Sequence, residues 1–453
     1  MKTQLPPGPR TPAAIQTLGQ WSRPTAYLER CRARYGPRFT LRTLGQPPFV
    51  VISTPDEIKE MFMASPEVLH PGEGARILKP IVGSNSVILL DEGPHLEQRK
   101  LMLPAFQGER MQRLTGMMEE LIEREVSSWP LEQPLALHPH LQNLTLEIIL
   151  RAVFGLEQGA DLEELRTLLT EILAFGESPL SLIPFAHRTY AGRGPYAGLQ
   201  RARARADELI FELIEQRRAG EGEGDDVLAM LLGARHEDGS PMSPSELRDE
   251  LMTALVAGHE TTASQLAWGF ERLVREPRVL ASLAEELDGD SDEEYLTATI
   301  QEIMRRRPVL INAEPRLVKQ PIEIGGFAYP PGVILFANAY LVHHDPQIYP
   351  EPYAFRPERF LENPPGTYTW IPFGGGRRRC LGANFALLEM KLVLRTVLRR
   401  VEPLPVSEDF ERVSRRGIAV SPAHGAQVIL RERRGIAHEP VSKIPGSVPV
   451  AAA

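Results

Sequence analysis

The sequence predicts a mainly α-helical fold with small β-sheets near both ends of the chain. Apolar residues recur at helical spacing through most of residues 95–310, which is the pattern of helices that pack into a core. Short β-branched or alternating runs bounded by glycine and proline lie before and after that region, and such runs are typical of strands. No linker, repeat or block of like charge divides the 453 residues. We therefore expect one domain over residues 1–436.

The N-terminal elements are predicted from turn and cap residues. Proline at the start and glycine after the end indicate a short helix over 24–35. Strands are expected at Phe39–Arg42 and Phe49–Ile52. The segment Thr54–Glu57 has the spacing of a capping box with proline at the first helical position, so it predicts a helix that continues through Phe62.

Two further helices are predicted in the second half of the chain. Ser243–Glu246 has the spacing of another capping box with proline at the first helical position. It opens an apolar stretch that predicts a long helix from about Ser243 to Val274. A second helix is expected over Tyr295–Arg306.

The C-terminal third is expected to hold small strands and a tail. Strands are predicted at Pro321–Ile324 and Gly332–Phe336. The runs Ile418–Val420 and Gln427–Leu430 are interpreted as the two strands of one hairpin. Residues 437–453 are rich in Pro, Ala and Val without any period, so we expect a disordered tail there.

Composition excludes several classes of partner and location. The formal charge of −8 gives no reason to expect nucleic acid or an anionic membrane as a partner. Two cysteines, Cys31 and Cys380, cannot form a disulfide framework, which favours an intracellular protein. The N-terminus has no apolar signal region, and no apolar span of about 18 residues follows. We expect a soluble, cytoplasmic, monomeric bacterial protein without a transmembrane anchor.

Cys380 is the most informative residue of the sequence. It lies in the run FGGGRRRCLG at 373–382, before an apolar helix. Nearby guanidinium groups and the positive end of that helix are expected to lower the pKa of its thiol. The glycines allow backbone to approach something large and flat. A thiolate is the ligand that, on a haem iron, favours cleavage of the O–O bond.

This run resembles the haem-binding loop of the cytochrome P450 monooxygenases, F-x-x-G-x-R-x-C-x-G, at every fixed position. The resemblance implies that Cys380 is the axial thiolate ligand of haem b iron. It also implies that Arg378 contacts a haem propionate and that Phe373 shields the sulfur. Gly376 and Gly382 would permit the tight loop. The rival interpretation, a phosphate-binding loop, fails because no G-x-x-x-x-G-K-[ST] run occurs.

A second stretch, LVAGHETT at 255–262, lies inside the long predicted helix. Glycine and adjacent threonines are unfavourable in a helix interior by roughly 0.5–1 kcal/mol each. A hydroxyl at Thr261 that bonds the carbonyl of Ala257 would loosen that turn. The stretch also begins a zinc-binding H-E-x-x-H pattern, but alanine at position 263 excludes that site.

The same stretch resembles the oxygen-activation signature of the family, [AG]-G-x-[DE]-T-[TS]. The resemblance implies that Thr261 forms a hydrogen bond at the site where O₂ is activated. It also implies that Glu260 delivers protons from the surface. Partial burial is expected to raise the pKa of Glu260, which would suit a general acid. Relatives driven by peroxide typically lack this pair, so the pair favours O₂ and electrons as cosubstrates.

Further residues agree with the resemblance. Glu302 and Arg305 match the E-x-x-R motif, and Arg359 matches the arginine of a later segment. By resemblance the three form a buried network that holds the haem loop. His95, Arg99 and Arg316 correspond to haem-propionate partners in this family.

The resemblance also indicates where a substrate would bind and what would supply electrons. The expected pocket includes the loop–helix at 170–190 and six further residues: Leu78, Ile81, Val82, Ala257, Ile311 and Ile418. Its apolar character favours a fatty acid, terpenoid, steroid or macrolide. The sequence has no flavin, nicotinamide or iron–sulfur motif, so ferredoxin and ferredoxin reductase are expected in trans. A basic set on the thiolate side would receive the ferredoxin: Arg99, Lys100, Arg110, Arg113, Arg377, Arg379, Lys391 and Arg395.

The expected function is insertion of one oxygen atom of O₂ into a C–H bond or across an alkene. Oxidative coupling or desaturation at the same iron is an alternative with the same fold. A haem protein that senses or carries a gas without turnover is an alternative of a different class. A proton-delivery pair would be superfluous in such a sensor.

Overall fold

The computed structural model describes residues 5–106, 108–156, 160–177, 195–220, 224–289 and 292–433. The expected tail at 437–453, residues 178–190 of the expected pocket and the Arg110 side chain lie outside the described part. Among the described helices, none is both long and apolar enough to cross a membrane. The helices are α1 (Ala13–Ser22), α2 (Pro24–Tyr35), α3 (Pro55–Met63), α4 (Pro71–Gly74), α5 (Lys79–Val82), α6 (Glu92–Met102), α7 (Glu109–Ser127), α8 (Leu137–Phe154), α9 (Ala160–Glu177), α10 (Pro195–Arg218), α11 (Val227–Gly233), α12 (Pro244–Leu273), α13 (Pro277–Asp288), α14 (Glu294–Arg306), α15 (Ala339–His343), α16 (Glu358–Glu362) and α17 (Ala383–Arg400).

The strands are short and lie mainly toward the two ends of the chain, which confirms the predicted mainly α fold with small sheets. They are β1 (Arg38–Leu41), β2 (Phe49–Ile52), β3 (Leu69–His70), β4 (Pro134–Ala136), β5 (Arg316–Val318), β6 (Ile322–Ile324), β7 (Phe327–Tyr329), β8 (Ile334–Ala337), β9 (Val401–Pro405), β10 (Val413–Arg416), β11 (Ala419–Pro422) and β12 (Gln427–Glu432). The largest sheet has the order β1-β2-β8-β5-β3. β6 pairs with β7, β10 with β11, and β12 lies between β4 and β9.

Helix α12 is the central element of the core. Its N-terminus carries the predicted capping box, in which the side chains of Ser243 and Glu246 each bond the other's backbone N–H. Most of its residues are buried, and it packs against α8, α14 and α17. A Cβ at Gly258 would lie 2.9 Å from the side chain of Ile149 on α8. Glycine at this position therefore permits the close contact between α8 and α12.

The predicted hairpin of 418–420 and 427–430 is wrong. β11 pairs with β10, with Arg416 opposite Ala419, whereas β12 pairs with β4 and β9. Strand β12 alternates inward and outward, and its inward side chains, Val428 and Leu430, join the main helical core. A buried strand gains more from two flanking strands than from one hairpin partner, so long-range pairing prevails over the local one.

The predicted capping box at Thr54 is also absent, although helix α3 forms. The Thr54 side chain makes no cap hydrogen bond. Glu57 instead lies 3.1 Å from the Arg38 guanidinium on β1. The ion pair across the two elements takes the carboxylate that the capping box required.

Candidate active site

The loop before α17 is held by backbone contacts that require glycine. The Cys380 N–H donates to the Phe373 carbonyl at 3.0 Å. Gly376 has φ +63°, and a Cβ there would lie 2.6 Å from the backbone oxygen of Phe62. A Cβ at Gly375 would lie 2.5 Å from the Phe62 ring. At Gly382, by contrast, a Cβ would meet nothing within 4 Å, so the loop itself does not require glycine there.

The Cys380 thiol does not have the lowered pKa that was expected. Burial raises its pKa above the ordinary value, and the Gly382 N–H and the charges of Arg99 and Arg379 oppose that effect without cancelling it. The residue itself keeps exposed surface. The sulfur is therefore surrounded by protein and still accessible, and a bound metal ion would deprotonate it outright.

All four expected propionate partners come together beside this loop. They are His95, Arg99, Arg316 and Arg378. Burial, together with the guanidinium charges of Arg378, Arg99 and Arg316 in that order, lowers the pKa of His95 to about 3. His95 is thus a neutral hydrogen-bonding group, and the positive charge belongs to the arginines.

Two carboxylates, Asp91 and Glu314, partly balance these arginines. Arg378 lies 2.9 Å from Asp91, and Arg316 lies 2.9 Å from Glu314. Arg316 is 5% exposed, yet its described hydrogen bonds all come from Nη1 and go to Glu314 or Pro315. Three guanidinium groups against two carboxylates, with N–H groups to spare on a buried arginine, suit an additional anion.

Helix α12 has an accessible patch at its middle. Ala257 is exposed and Gly258 and Thr261 are half-buried, although the helix is buried for two turns on either side. The Thr261 hydroxyl donates to the Ala257 carbonyl at 2.5 Å, as the sequence predicted. The helix remains continuous through this turn. Since the hydroxyl proton is engaged, the Thr261 oxygen is left to accept a hydrogen bond.

Glu260 is held in a polar cluster between α12 and α8, and its pKa differs from the expectation. Burial alone would raise the pKa, but the hydrogen bond and charge of His138, the hydroxyl of Ser264 and the charge of Arg416 hold it well below its usual range. The Gln142 side-chain N–H₂ also donates to the carboxylate at 2.7 Å. Glu260 is therefore ionised at neutral pH, and the predicted raised pKa is wrong.

Glu302, Arg305 and Arg359 form a buried network. Both nitrogens of the Arg305 fork bond the Glu302 carboxylate, at 2.7 and 2.9 Å, and Arg359 Nε lies 3.2 Å from it. Arg305 also donates to the His343 carbonyl at 2.6 Å. His343 Nε2 in turn accepts from the Ile371 N–H at 2.9 Å. The network thus reaches the segment that leads into the Cys380 loop.

The expected pocket residues differ in accessibility. Ala257 and Ile418 are exposed and Leu78 is half-buried. Ile81 packs in the main core and Ile311 packs against the β1–β2 sheet, while Val82 is fully buried. Of the six residues, only Ala257, Ile418 and Leu78 therefore have surface that a ligand could contact.

Sequence reasoning missed Asp91, Glu314 and Glu389. Glu389 on α17 is fully enclosed, and burial raises its pKa to about 8, a shift that its hydrogen bond with Thr262 on α12 opposes. In the sequence Glu389 is one of several charged residues of α17 and nothing marks it as buried. Asp91 and Glu314 lie far from Cys380 in the chain, so no local motif contains them.

These features fit the haem group that the sequence suggested. The glycine loop gives close approach, Cys380 keeps accessible surface, and the arginine cluster, with one positive charge more than its two carboxylates, suits a haem propionate. When bound, haem supplies an iron that activates O₂.

Comparison with known proteins shows the family of the chain. A sequence model of the family described as Cytochrome P450 matches residues 6–430. Cytochrome P450 135B1 of Mycobacterium tuberculosis is 37% identical over 439 residues, which cover 95% of this chain and 92% of the relative. Cytochrome P450 138 of Mycobacterium bovis is 39% identical over 432 residues, which cover 95% of this chain and 97% of the relative.

Two solved structures share the fold at 23% identity. The structure titled "Retinoic acid bound cyanobacterial CYP120A1" has a TM-score of 0.82 and covers 95% of this chain and 100% of its own. The structure of the cytochrome P450DA heme domain has a TM-score of 0.81, with coverage of 95% and 98%. The chain therefore belongs to the cytochrome P450 family and is a haem-dependent monooxygenase that uses O₂ as cosubstrate.

Proposed function

We propose that this monooxygenase inserts one oxygen atom of O₂ into a C–H bond, or across an alkene, of a hydrophobic small molecule. The observation that carries the proposal is the accessible surface at Ala257 in the middle of the otherwise buried helix α12. Leu78 and Ile418, two other residues of the expected pocket, also keep accessible apolar surface. Apolar lining with few polar groups is typical of sites for greasy ligands, such as fatty acids, terpenoids, steroids or macrolides.

In this proposal each site residue has a separate task. Cys380 would hold the haem iron through its sulfur, and Phe373 and Gly376 shape its loop. His95, Arg99, Arg316 and Arg378 bind the propionates. Thr261 holds a hydrogen-bonded partner at the oxygen site, and Glu260 takes part in proton delivery.

A spectral screen tests the substrate class. The haem-loaded enzyme is titrated with representatives of the four compound classes, and the Soret band is recorded. A hydrophobic substrate is expected to shift the band by displacing water from the iron. If only polar compounds shift it, the proposed class is wrong. Analysis of turnover products then separates oxygen insertion from coupling or desaturation.

Replacing Thr261 by alanine is expected to uncouple reductant consumption from product formation. The variant loses the one hydroxyl on the accessible face of the 257–261 turn, so hydrogen bonding at the oxygen site is lost. Hydrogen peroxide released per reductant oxidised should rise several-fold. Thr261→Ser is the matched control, because it keeps the hydroxyl. Equal ratios in the alanine variant and the wild type would remove Thr261 from the mechanism.

We also propose that an acidic ferredoxin, itself reduced by a reductase, docks on the Cys380 side. The structure narrows the basic set for this role. Four of its members pair with acids: Lys100 with Glu237 at 2.8 Å, Arg113 with Asp225 at 2.9 Å, Lys391 with Glu293 at 3.1 Å and Arg395 with Glu119 at 2.8 Å. Arg377 and Arg379 are exposed and have no acidic partner among the described residues. These two carry the unbalanced charge beside the thiolate.

Arg377→Glu is expected to slow reduction of the haem by an acidic ferredoxin by roughly ten- to a hundredfold at low salt, because steering depends on charge complementarity. The difference should shrink as salt rises, since exposed charges are screened beyond about 8 Å at physiological ionic strength. Stopped-flow reduction measures the rate.

Arg34→Glu, on α2, changes the net charge equally and is the control. Equal rates for the two variants, or a wild-type rate that does not respond to salt, would contradict docking on this face.

A further inference from the structure

The Glu260 carboxylate contacts two side chains of α8, His138 and Gln142. His138 is the second residue of α8 and is 1% exposed. Its Nε2 lies 3.3 Å from Glu260 Oε1 and 3.1 Å from the Ser264 hydroxyl. The Ser264 hydroxyl is itself 2.6 Å from Glu260 Oε1. His138 Nε2 therefore contacts both Glu260 Oε1 and the Ser264 hydroxyl that bonds this same oxygen.

The direction of these hydrogen bonds follows from the proton count. Ser264 has a single hydroxyl proton, and it goes to the ionised carboxylate, which can only accept. The Ser264 oxygen and Glu260 Oε1 are thus both acceptors toward His138. Nε2 of His138 must then carry a proton and donate it to one or both of them.

We propose that His138 is a positioning residue for proton delivery: it holds the Glu260 carboxylate toward α8. Together with Ser264, it controls when that carboxylate can rotate toward the accessible surface at Ala257 and Thr261. The inference rests on the proposed role of Glu260. Gln142 bonds the other carboxylate oxygen from the next turn of α8, so the two α8 side chains grip both oxygens of Glu260.

The backbone keeps this grip in place. The His138 N–H donates to the Gly425 carbonyl at 2.9 Å, and the Leu137 N–H donates to the Ala426 carbonyl at 3.3 Å. The first turn of α8 is thereby bonded to the segment that leads into β12. The neighbouring His259 is occupied elsewhere, because its Nδ1 lies 3.0 Å from the Thr145 hydroxyl on α8. Arg416 on β10 adds a positive charge that acts on both Glu260 and His259.

Turnover and coupling of His138→Phe test the proposal, since phenylalanine keeps the ring shape and removes both nitrogens. We expect turnover to fall by roughly ten- to a hundredfold, the effect of a lost hydrogen bond to a charged group, and peroxide per reductant oxidised to rise. The substrate-induced Soret shift should be unchanged. Ser264→Ala, a smaller change at the shared partner, should lower coupling in the same direction if the phenylalanine variant does not fold.

A double-mutant cycle separates positioning from general damage. If His138 acts through Glu260, the double variant His138→Phe with Glu260→Gln should be no slower than Glu260→Gln alone, because residues that act as a unit are not additive. If the losses of turnover from the two single substitutions multiply in the double variant, His138 acts only through stability. That result would overturn the proposal. His140→Phe is the control, since His140 bonds Glu125 at 3.0 Å instead.

Single variants distinguish a wrong positioning role for His138 from a wrong proton-delivery role for Glu260. If Glu260→Gln leaves turnover unchanged, Glu260 has no role in proton delivery. If Glu260→Gln slows turnover while His138→Phe and Ser264→Ala behave as the wild type, the role of Glu260 stands and the positioning role of His138 is wrong.

Discussion

Replacing Cys380 by serine is expected to abolish both the thiolate-type spectrum of the reduced carbon monoxide complex and monooxygenase turnover. An alcohol oxygen is a poor donor to iron, and the electron density that a thiolate supplies for O–O cleavage is lost. The loop itself should survive, because it is held by the Cys380 N–H, the Phe373 carbonyl and the close contact of Gly376 with Phe62. None of these uses the sulfur. The carbon monoxide difference spectrum measures the outcome, together with haem content.

Cys31→Ser is the control for the loss of a cysteine. Cys31 is buried in the cluster formed by α2 and the β1–β2 sheet, where burial raises its pKa to about 11. It should leave the spectrum intact. A Cys380→Ser protein that keeps an unchanged thiolate-type spectrum would contradict the axial-ligand assignment.

Replacing Glu302 by glutamine is expected to lower the free energy of unfolding by about 3–5 kcal/mol, the cost of removing one partner from a buried ion pair. Glu302 and Arg305 have no exposed side-chain surface, so the positive charge of Arg305 loses its partner in the variant and cannot be solvated. Arg359 would lose its carboxylate partner as well. Through Arg305, His343 and Ile371, the loss should also loosen the Cys380 loop and reduce haem retention.

Urea unfolding followed by circular dichroism measures the change, and haem absorbance during the same titration measures retention. Glu294→Gln is the matched control, because Glu294 is exposed on the same helix α14. Exposed substitutions usually change stability by no more than about 0.5 kcal/mol. A Glu302→Gln variant as stable as the control would contradict the structural role of the network.

Elements with strong local signals could be predicted from the sequence. Strand β2 and the capped helix α12 lie where the pattern placed them, because cap and turn residues act over a few positions. The hairpin at 418–430 could not be predicted correctly, because the choice of partner for β12 depends on β4 and β9, which are distant in the chain.

The same distinction applies to the site: features within a short motif could be predicted, and features that depend on contacts with distant segments could not. The loop at 373–382 and the turn at 257–261 were visible as motifs, and Thr261 bonds Ala257 as its spacing requires. The ionisation of Glu260 was not visible, because His138 and Gln142 come from another helix. Likewise the accessibility of Cys380 and the raised pKa of its thiol depend on how closely the surrounding segments pack around it.

Isotope labelling during turnover directly tests whether one oxygen atom of O₂ is inserted into the substrate. The haem-loaded enzyme, supplied with ferredoxin, reductase and a substrate from the spectral screen, is run under ¹⁸O₂ in ordinary water, and the product is analysed by mass spectrometry. Oxygen insertion predicts a product that carries one ¹⁸O atom, with the second atom of O₂ released as water. A product without ¹⁸O, formed while O₂ is consumed, would show coupling or desaturation and would contradict oxygen insertion.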